Sequence, residues 1–362
     1  MTFENLKEIK EDLWTYLQNT SKNIVMYGTG NGADKIIDVL DSKKIPLYGI
    51  FASDDFARGN LFRGYTVKKY SDFVSELEDF IVIVSFATQR DDVLGNILKI
   101  NSERELYAPD VPVYGEGIFD KKYFDNNRER LERIYFMLND ELSRKTFADT
   151  LAFKLTGKIS YLIDCETSKG ELNNLISSLI TKKDYIDVGA YTGDTVEEYV
   201  TIHGNDMNIY AFEPDAKNYN KMLKRFAEKS IKAFTFNAAA WDKNELIRFY
   251  SNSGRAGSAN RGINKDKYKD IQALRIDDEV HGDVGYIKID AEGSELNVLR
   301  GMTDTILREK PCVRIAAYHR NEDYFAIPEQ ALEIENKFKI YMRHLKYIPG
   351  WDTDFIISYE NS

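Results

Sequence analysis

The sequence contains little cysteine and no long apolar segment. Its two cysteines, Cys165 and Cys312, lie in unlike contexts, which excludes a disulfide framework and a CxxC metal motif. Such cysteine usage is typical of a reducing cytosol, so we expect a cytoplasmic protein. No apolar run reaches the ~18 residues of a membrane-spanning helix, and the amino terminus lacks the apolar stretch of a signal peptide.

Basic charge and paired histidines are also scarce. The 49 Lys and Arg residues are outnumbered by 59 Asp and Glu residues, which gives a formal net charge of −10. An acidic chain without a long basic run is a poor candidate for a non-specific nucleic-acid binder. The four histidines form no HxxxH or HExxH pair, which disfavours a zinc hydrolase. The remaining class is a globular protein, and its 362 residues favour two domains.

The first third of the chain has the pattern of a strand, a glycine loop and a helix, followed by further strands. Hydrophobic spacing predicts one amphipathic helix over residues 1–20. After it, the predicted elements are a strand at 23–27, a helix at 33–40, and strands at 45–51 and 81–86. This order predicts a βαβ unit with a parallel sheet, which we assign to a Rossmann-like domain over residues 1–113.

Residues 114–181 are rich in charge and in helix formers, and we interpret them as a helical connector. A second and stronger βαβ pattern begins at Lys182, so the third part comprises residues 182–362. Its predicted strands are 185–188, 208–212, 233–238, 245–250, 273–276, 285–289, 312–317, 340–345 and 355–359, with helices at 195–200, 216–229, 294–307 and 327–336. This order predicts a doubly wound α/β sheet that ends in a hairpin.

The second glycine loop has a carboxylate on each side of it. Asp187 ends the strand before the loop, Gly189 and Gly193 allow tight turns, and Glu213 ends the next strand, 24 positions after Gly189. A carboxylate beside the loop would repel a diphosphate but favour an ammonium or sulfonium group. A ligand with a ribose, no phosphate and an amino-acid tail fits these requirements, and S-adenosylmethionine is such a ligand. The alternative is a plain glycine turn with a surface glutamate.

Further polar residues follow the fourth and fifth major strands of this part. Asp290 and Glu292 end one strand, and His319 ends the other. Catalytic groups in open α/β sheets collect at the carboxyl ends of strands, so we expect these three side chains to meet. By strand alternation, Lys288 lies on the same side as Asp290.

At this point the sequence resembles a known family, the FkbM-type S-adenosylmethionine-dependent methyltransferases. The resemblance runs from about Phe136 to the carboxyl terminus, and its motifs are DVGAYTGDT (187–195), AFEPD (211–215), IKIDAEGSELNVLRG (287–301), AAYHRNEDYFAIP (316–328) and IYMRH (340–344). It implies a class I methyltransferase fold, a seven-stranded sheet whose last strand is reversed. It also implies O-methylation, often of sugars or secondary metabolites.

The resemblance also implies a set of cofactor-binding residues. Glu213 would hold the ribose, and the turn 237–239 would flank the adenine. The methionine part of the cofactor would be held by Asp187, Gly189, Tyr191, Gly193 and Asp194. The full set is Asp187, Gly189, Ala190, Tyr191, Gly193, Asp194, Thr195, Glu213, Pro214, Asn237, Ala238 and Ala239. Tyr191 stands where the general methyltransferase loop has its middle glycine.

Methyl transfer to a hydroxyl needs one general base, and His319 is our first candidate because its pKa can lie near neutrality. Asp290 is the second, either as the base or as the group that orients it, and a divalent metal bridging Asp290 and Glu292 is an open alternative. Structural roles also remain open: Asp290 capping the helix near Ser294 or touching the cofactor, Glu292 as a first-turn carboxylate, and His319 as a core histidine.

The first glycine loop, residues 28–33, matches the G-x-G-x-x-G/A pattern of dinucleotide-binding folds. Its second strand ends in Ser53 without the ribose-binding acid, and Asp54 and Asp55 come late. A degenerate module for substrate docking or dimerisation is as good an interpretation as an NAD site. A second glycine-rich segment, 254–260, is interpreted as a surface loop.

We therefore expect an O-methyltransferase that acts on a hydroxyl of a sugar, glycan or small hydroxylated metabolite. A nucleotide-linked sugar as the substrate and a homo-oligomeric state are both compatible with the sequence. The alternative is a nucleotide- or dinucleotide-binding module, or an NAD-dependent sugar-modifying enzyme.

Overall fold

The computed structural model describes residues 1–53, 57, 59–250 and 268–359. Within these residues the chain forms sheets of six, seven and three strands. Asp54, Asp55 and the glycine-rich segment 254–260 lie outside the described residues. Among the helices that the structure describes, none combines the length and the apolar character that crossing a membrane requires.

The amino-terminal segment forms two short helices, α1 (Phe3–Lys7) and α2 (Leu13–Asn19), so the prediction of one helix over 1–20 is wrong. Asp12 is the reason for the break. Its carboxylate accepts hydrogen bonds from the backbone N–H groups of Thr15 (2.9 Å) and Lys121 (3.0 Å), which caps α2 and ties it to the connector.

The six-stranded sheet has the predicted parallel βαβ core. Its elements are β1 (Asn23–Tyr27), α3 (Asn31–Lys43), β2 (Gly49–Ala52), β3 (Leu61–Phe62), β4 (Tyr65–Lys69), α4 (Tyr70–Glu76), β5 (Phe80–Val84), α5 (Asp91–Glu103) and β6 (Glu105–Tyr107). The strand order is β3-β4-β2-β1-β5-β6, and only the β3–β4 pair is antiparallel. The order reverses between β1 and β5, which is where open α/β sheets leave a crevice.

Four helices follow, as the composition of the connector predicts. They are α6 (Lys121–Met137), α7 (Glu141–Thr156), α8 (Ser160–Asp164) and α9 (Lys169–Leu179). Helix α7 is buried nearly all round, because it packs between the two large sheets and contributes Phe147 and Leu151 to one core and Phe153 to the other. One helix of the connector therefore contributes to the hydrophobic cores of both large sheets. The boundaries 1–113, 114–181 and 182–362 stay a prediction.

The seven-stranded sheet confirms the predicted doubly wound fold. Its elements, with those inserted between them, are β7 (Asp184–Val188), α10 (Asp194–His203), β8 (Ile209–Phe212), α11 (Ala216–Lys229), β9 (Phe234–Phe236), β10 (Ala239–Trp241), β11 (Glu245–Tyr250), β12 (Tyr268–Arg275), α12 (Ile276–Glu279), β13 (Val284–Ile289), α13 (Glu295–Gly301), α14 (Thr303–Glu309), β14 (Cys312–Ala316), α15 (Asp323–Ile334), β15 (Lys339–His344) and β16 (Thr353–Ser358). The sheet order is β15-β16-β14-β13-β7-β8-β9, with β16 antiparallel to both neighbours. The small sheet is β10-β12-β11.

This sheet explains where the candidate residues gather. Strands β7, β8 and β13 are buried along their whole length, as parallel strands covered on both faces should be. They run side by side and in parallel, so their carboxyl ends open at one edge of the sheet. The helix predicted over 294–307 is divided into α13 and α14 at the buried Met302. The predicted turn 237–239 ends at Ala238, because Ala239 begins β10.

Candidate active site

The glycine loop between β7 and α10 makes three left-handed turns. Gly189, Tyr191 and Gly193 have φ angles of 73°, 48° and 78°. A glycine would adopt this angle at position 191 without cost, which explains why the general motif has glycine there. Gly193 is further required by packing, since an added Cβ would lie 2.6 Å from a ring carbon of Phe226.

Gly189 lies against the next strand of the sheet. An alanine Cβ there would lie 1.9 Å from the carbonyl oxygen of Asp290, in a backbone conformation that side chains rarely adopt. We expect Gly189→Ala to lower the free energy of unfolding by about 2–5 kcal/mol, measured by urea denaturation. The matched control is Gly95→Ala in α5, where an added Cβ has no atom within 4 Å. Gly95→Ala should raise the free energy of unfolding by up to ~1 kcal/mol, because alanine favours a helix more than glycine does. Equal effects of the two changes would contradict this account.

Asp187 lies beneath the loop and is fully buried. One carboxylate oxygen accepts a hydrogen bond from the hydroxyl of Thr195, in the first turn of α10. The other oxygen has no hydrogen-bond partner among the described residues, and the Lys288 ammonium lies 3.5 Å from it. Burial raises the pKa of Asp187 despite that cation. Its carboxylate therefore organises the loop from below.

Glu213 lies at the carboxyl end of β8, with 5% of its surface exposed. Its two carboxylate oxygens accept hydrogen bonds from the backbone N–H groups of Tyr191 and Asp215, each at 2.8 Å. Asn237 completes the corner by donating its amide N–H to the carbonyl oxygens of Glu213 (2.9 Å) and Pro214 (3.2 Å). Burial raises the pKa of Glu213 to about 7. The predicted ribose and adenine residues are thus brought together beside the loop.

The structure also brings Asp290, Glu292 and His319 together. Nε2 of His319 lies 3.4 Å from Oδ1 of Asp290 and 3.4 Å from Oε2 of Glu292. His319 is 1% exposed, whereas the Asp290 and Glu292 side chains are 31% and 28% exposed. One donor atom from each of the three lies within 4.8 Å of the others, a spacing that suits a metal ion.

Glu295 is a further site residue, which lies within the motif at 287–301 but to which the sequence patterns assign no role. It is 1% exposed, and one of its oxygens accepts hydrogen bonds from the N–H groups of Ala291 (3.0 Å) and Gly293 (3.2 Å). The same oxygen lies 2.8 Å from Nδ1 of His319, so it orients the imidazole. A glutamate three residues after Glu292, at the start of a helix, was the available signal.

The helical alternatives for Asp290 and Glu292 do not match the structure. Helix α13 begins at Glu295, and its cap residue Ser294 makes no side-chain capping hydrogen bond. Asp290 instead accepts hydrogen bonds from the hydroxyl of Tyr318 at 3.2 and 3.3 Å. Glu292 lies before the helix, in a left-handed turn with a φ of 52°. Both carboxylates face the imidazole rather than the helix.

Charge around the imidazole sets its protonation. Burial alone would lower the pKa of His319, but the carboxylates of Glu295 and Glu292 outweigh burial and hold the pKa well above its ordinary value. Burial likewise acts to raise the pKa of Asp290, yet the charges of Lys288 and His319 keep that pKa below its ordinary value. The carboxylates around His319 therefore favour the protonated form of its imidazole while no cation lies between them.

Lys288 lies on the same side as Asp290, as strand alternation predicts, and it also joins this cluster to the glycine loop. Its ammonium donates a hydrogen bond to the carbonyl oxygen of Gly189 at 3.2 Å. It also lies 3.7 Å from Oδ2 of Asp290. The side chain is buried, so it contacts the loop and the cluster at once. A group held by the loop would therefore lie next to Asp290.

Tyr114, from the segment after the first sheet, closes one side of the cluster. Its N–H donates to the carbonyl oxygen of His319 at 2.9 Å, and the two ring centroids are 5.8 Å apart. Lys35 in α3 holds this segment by donating to the carbonyl oxygens of Pro112 (2.9 Å) and Val113 (2.7 Å). Nothing in the local sequence signals this contact, because it depends on how the two sheets pack.

The first glycine loop has the predicted turn but no described carboxylate opposite it. Gly28 and Gly30 have φ angles of 106° and 111°, and α3 begins immediately after them. At the end of β2, the hydroxyl of Ser53 lies 2.5 Å from that of Tyr27. Nucleotide binding at this loop stays a prediction.

Comparisons with known proteins give a family model that matches part of the chain and a solved structure with a similar fold. Residues 187–349 match the family model of the methyltransferase FkbM domain, which confirms the FkbM-type resemblance. The chain superposes on the crystal structure of methyltransferase FkbM from Methylobacillus flagellatus KT with a TM-score of 0.73 and 18% identity, covering 98% of this chain and 96% of that one. This likeness shows that the fold extends over both sheets. No curated protein gives a significant sequence match.

Smaller methyltransferase structures align with part of the chain. An rRNA methylase from Streptococcus thermophilus aligns at 11% identity with a TM-score of 0.33, over 52% of this chain and 94% of that one. Fibrillarin from Aeropyrum pernix, solved with natively bound S-adenosyl-L-methionine, aligns at 13% identity with a TM-score of 0.33, over 49% and 67%. Scores this low carry no conclusion about the present chain.

Proposed function

Because this chain carries an FkbM-type methyltransferase domain, we propose that it transfers a methyl group from S-adenosylmethionine to a hydroxyl of a sugar, glycan or small hydroxylated metabolite. One observation carries the proposal. Lys288 contacts the carbonyl of Gly189 in the glycine loop and lies beside the carboxylate of Asp290, so the donor loop and a proton acceptor adjoin at one edge of the sheet. Methyl transfer needs these two features side by side.

The residues of the loop fit the donor. Glu213 can accept hydrogen bonds from ribose hydroxyls, and the buried carboxyl group of Asp187 lies under the loop with one oxygen that has no hydrogen-bond partner among the described residues. A sulfonium or ammonium group would be attracted to such acceptors. A diphosphate would meet the same two carboxylates and be repelled. Asn237 and Ala238 lie beyond Glu213, on the side where the adenine would extend.

When bound, S-adenosylmethionine supplies an electrophilic methyl carbon on a good leaving group. The chain must hold the acceptor oxygen in line with that carbon and take its proton. The proton on His319 makes Asp290 the better immediate acceptor, although the sequence favoured His319 first. His319, oriented by Glu295, stabilises the Asp290 carboxylate before the transfer, and the proton that Asp290 takes can then leave to solvent because that side chain is partly exposed.

A group of aromatic side chains that begins at Tyr318, the hydroxyl partner of Asp290, supports a sugar or a similar hydroxylated acceptor. The rings of Tyr318 and Trp351 lie nearly parallel with centroids 6.3 Å apart, and Tyr347 packs on Trp351 at 5.8 Å. Aromatic faces of this kind accommodate the C–H face of a sugar ring while its hydroxyls point to polar groups.

We place the reaction in the cytosol, because both cysteines are buried and unpaired.

Calorimetry on the full chain tests the donor site. We expect S-adenosylmethionine and its demethylated product to bind with dissociation constants of about 1–100 μM, which is about −8 to −5.5 kcal/mol. Incubation with methyl-labelled donor and a panel of sugars, nucleotide sugars and glycans should then give label that is stable as an ether. Absence of heat with either ligand, together with tight binding of NAD at the same loop, would refute the proposal.

A further inference from the structure

We propose that Asp290, Glu292 and His319 form a binding site for one divalent cation of the Mn²⁺ type. Metal binding itself is independent of the proposed function. The role we give the ion, holding the acceptor oxygen, rests on that function. The three residues come from the ends of two adjacent strands, β13 and β14, and from the turn that follows β13.

The spacing of the donor atoms is the first argument. Nε2 of His319 lies 3.4 Å from an oxygen of Asp290 and 3.4 Å from an oxygen of Glu292. A charge-assisted hydrogen bond between such groups would be about 2.7–2.9 Å long. Ligands that share an ion at bond lengths of about 2.1 Å are separated by about 3.0–3.4 Å. Both contacts therefore match two ligands of one ion, which would take the place of the proton on Nε2 of His319.

The support of the imidazole is the second argument. Glu295 holds Nδ1 of His319 at 2.8 Å, so Nε2 points between the two carboxylates. A carboxylate on the far nitrogen is the usual partner of a metal-binding histidine, because it fixes the ring and makes it a stronger ligand. The second oxygen of Glu295 is buried without a hydrogen-bond partner among the described residues.

Charge and access favour an ion of this class. The carboxylates of Asp290, Glu292 and Glu295 surround one imidazole. On β13, the ammonium of Lys288 lies 3.7 Å from Oδ2 of Asp290. Imidazole suits transition metals and carboxylates suit Mg²⁺ and Mn²⁺, so Mn²⁺ satisfies both. Asp290 and Glu292 are partly exposed, which leaves coordination positions open for water or for the acceptor hydroxyl.

Electron paramagnetic resonance of Mn²⁺, titrated into the full chain after treatment with EDTA and desalting, tests the site. We expect one Mn²⁺ per chain, and Glu292→Gln and His319→Ala should each weaken binding at least tenfold. The control is Glu322→Gln, a carboxylate near His319 that lies 3.7 Å from Arg320 and should change nothing. Unsaturable binding, or wild-type affinity in Glu292→Gln, would overturn the proposal.

Two further measurements keep the outcomes separate. Circular dichroism of each variant shows whether it has folded. If His319→Ala does not fold, Glu292→Gln alone tests the metal site. Calorimetry with S-adenosylmethionine in EDTA measures the donor site alone. Donor binding without Mn²⁺ binding would overturn the metal site and leave the proposed function standing. Mn²⁺ binding without donor binding would do the reverse.

Discussion

Replacement of Asp290 by asparagine is expected to lower the rate of methyl transfer by about 10³-fold, within the range that one general base contributes. The amide cannot take the hydroxyl proton, although its oxygen can still accept the hydrogen bond from Tyr318. Affinity for S-adenosylmethionine should change less than about threefold, because the loop contacts of Glu213 and Asp187 do not involve this side chain. Label transfer measures the rate, and calorimetry measures the affinity.

The matched control for Asp290→Asn is Asp278→Asn. Asp278 lies in α12, is partly exposed, and accepts a hydrogen bond from Asn244 at 2.8 Å, away from the mouth of the large sheet. Its replacement should leave the rate within about twofold, as surface changes usually do. A rate above one tenth of wild type in Asp290→Asn would assign proton removal to another group. A parallel loss of donor affinity would move Asp290 into the cofactor site.

Much of this site could be predicted from sequence, because its residues follow local patterns. Asp187, Glu213, Asp290 and His319 each stand at or just after the carboxyl end of a parallel strand, and buried strands are recognisable as short apolar runs. The topology then decides that those ends share one edge. Any sequence with the same strand order would bring the same positions together, whatever lies between them.

Residues that act through tertiary packing could not be predicted in this way. Tyr114 lies far from His319 in sequence, and the two residues just before it, Pro112 and Val113, are held against α3 by Lys35. Glu295 lies next to the recognised motif, but a glutamate in a first helical turn is more often a surface charge than a partner of a buried imidazole. The break between α1 and α2 has a similar cause. Asp12 caps α2 and also accepts a hydrogen bond from the backbone N–H of Lys121 in the connector.

The contact of Tyr114 with His319 gives the first sheet a part in the site without requiring that it bind a nucleotide. An added Cβ on Gly293 would lie 3.0 Å from the Cβ of Tyr114, so the turn that carries Glu292 is packed directly against this segment. A second backbone link joins the units, where Thr88 and Ile348 exchange hydrogen bonds of 2.8 and 3.0 Å. The cluster is thus bordered by residues of the carboxyl-terminal part and by the segment that follows the first sheet.

Glu213→Ala is expected to weaken binding of S-adenosylmethionine by about 10²-fold. Hydrogen bonds to a charged group are worth about 1.5–3 kcal/mol each, and two ribose hydroxyls would lose theirs. Glu213 also accepts the N–H groups of Tyr191 and Asp215, so the loop would lose an anchor as well. The control is Glu228→Ala, an exposed glutamate of α11 that lies 3.8 Å from Lys224 and should bind the donor as wild type does.

The same residue predicts how donor affinity depends on pH. Burial raises the pKa of Glu213 to about 7, and ribose hydroxyls bind best to the ionised carboxylate. Affinity should therefore be complete above that pKa and be lost as the pH falls through it, by about tenfold between pH 8 and pH 6. In Glu213→Gln this part of the pH dependence should vanish, because the amide does not titrate. A wild-type affinity that is constant over this interval, or a Gln variant with an unchanged profile, would show that Glu213 does not contact the ribose.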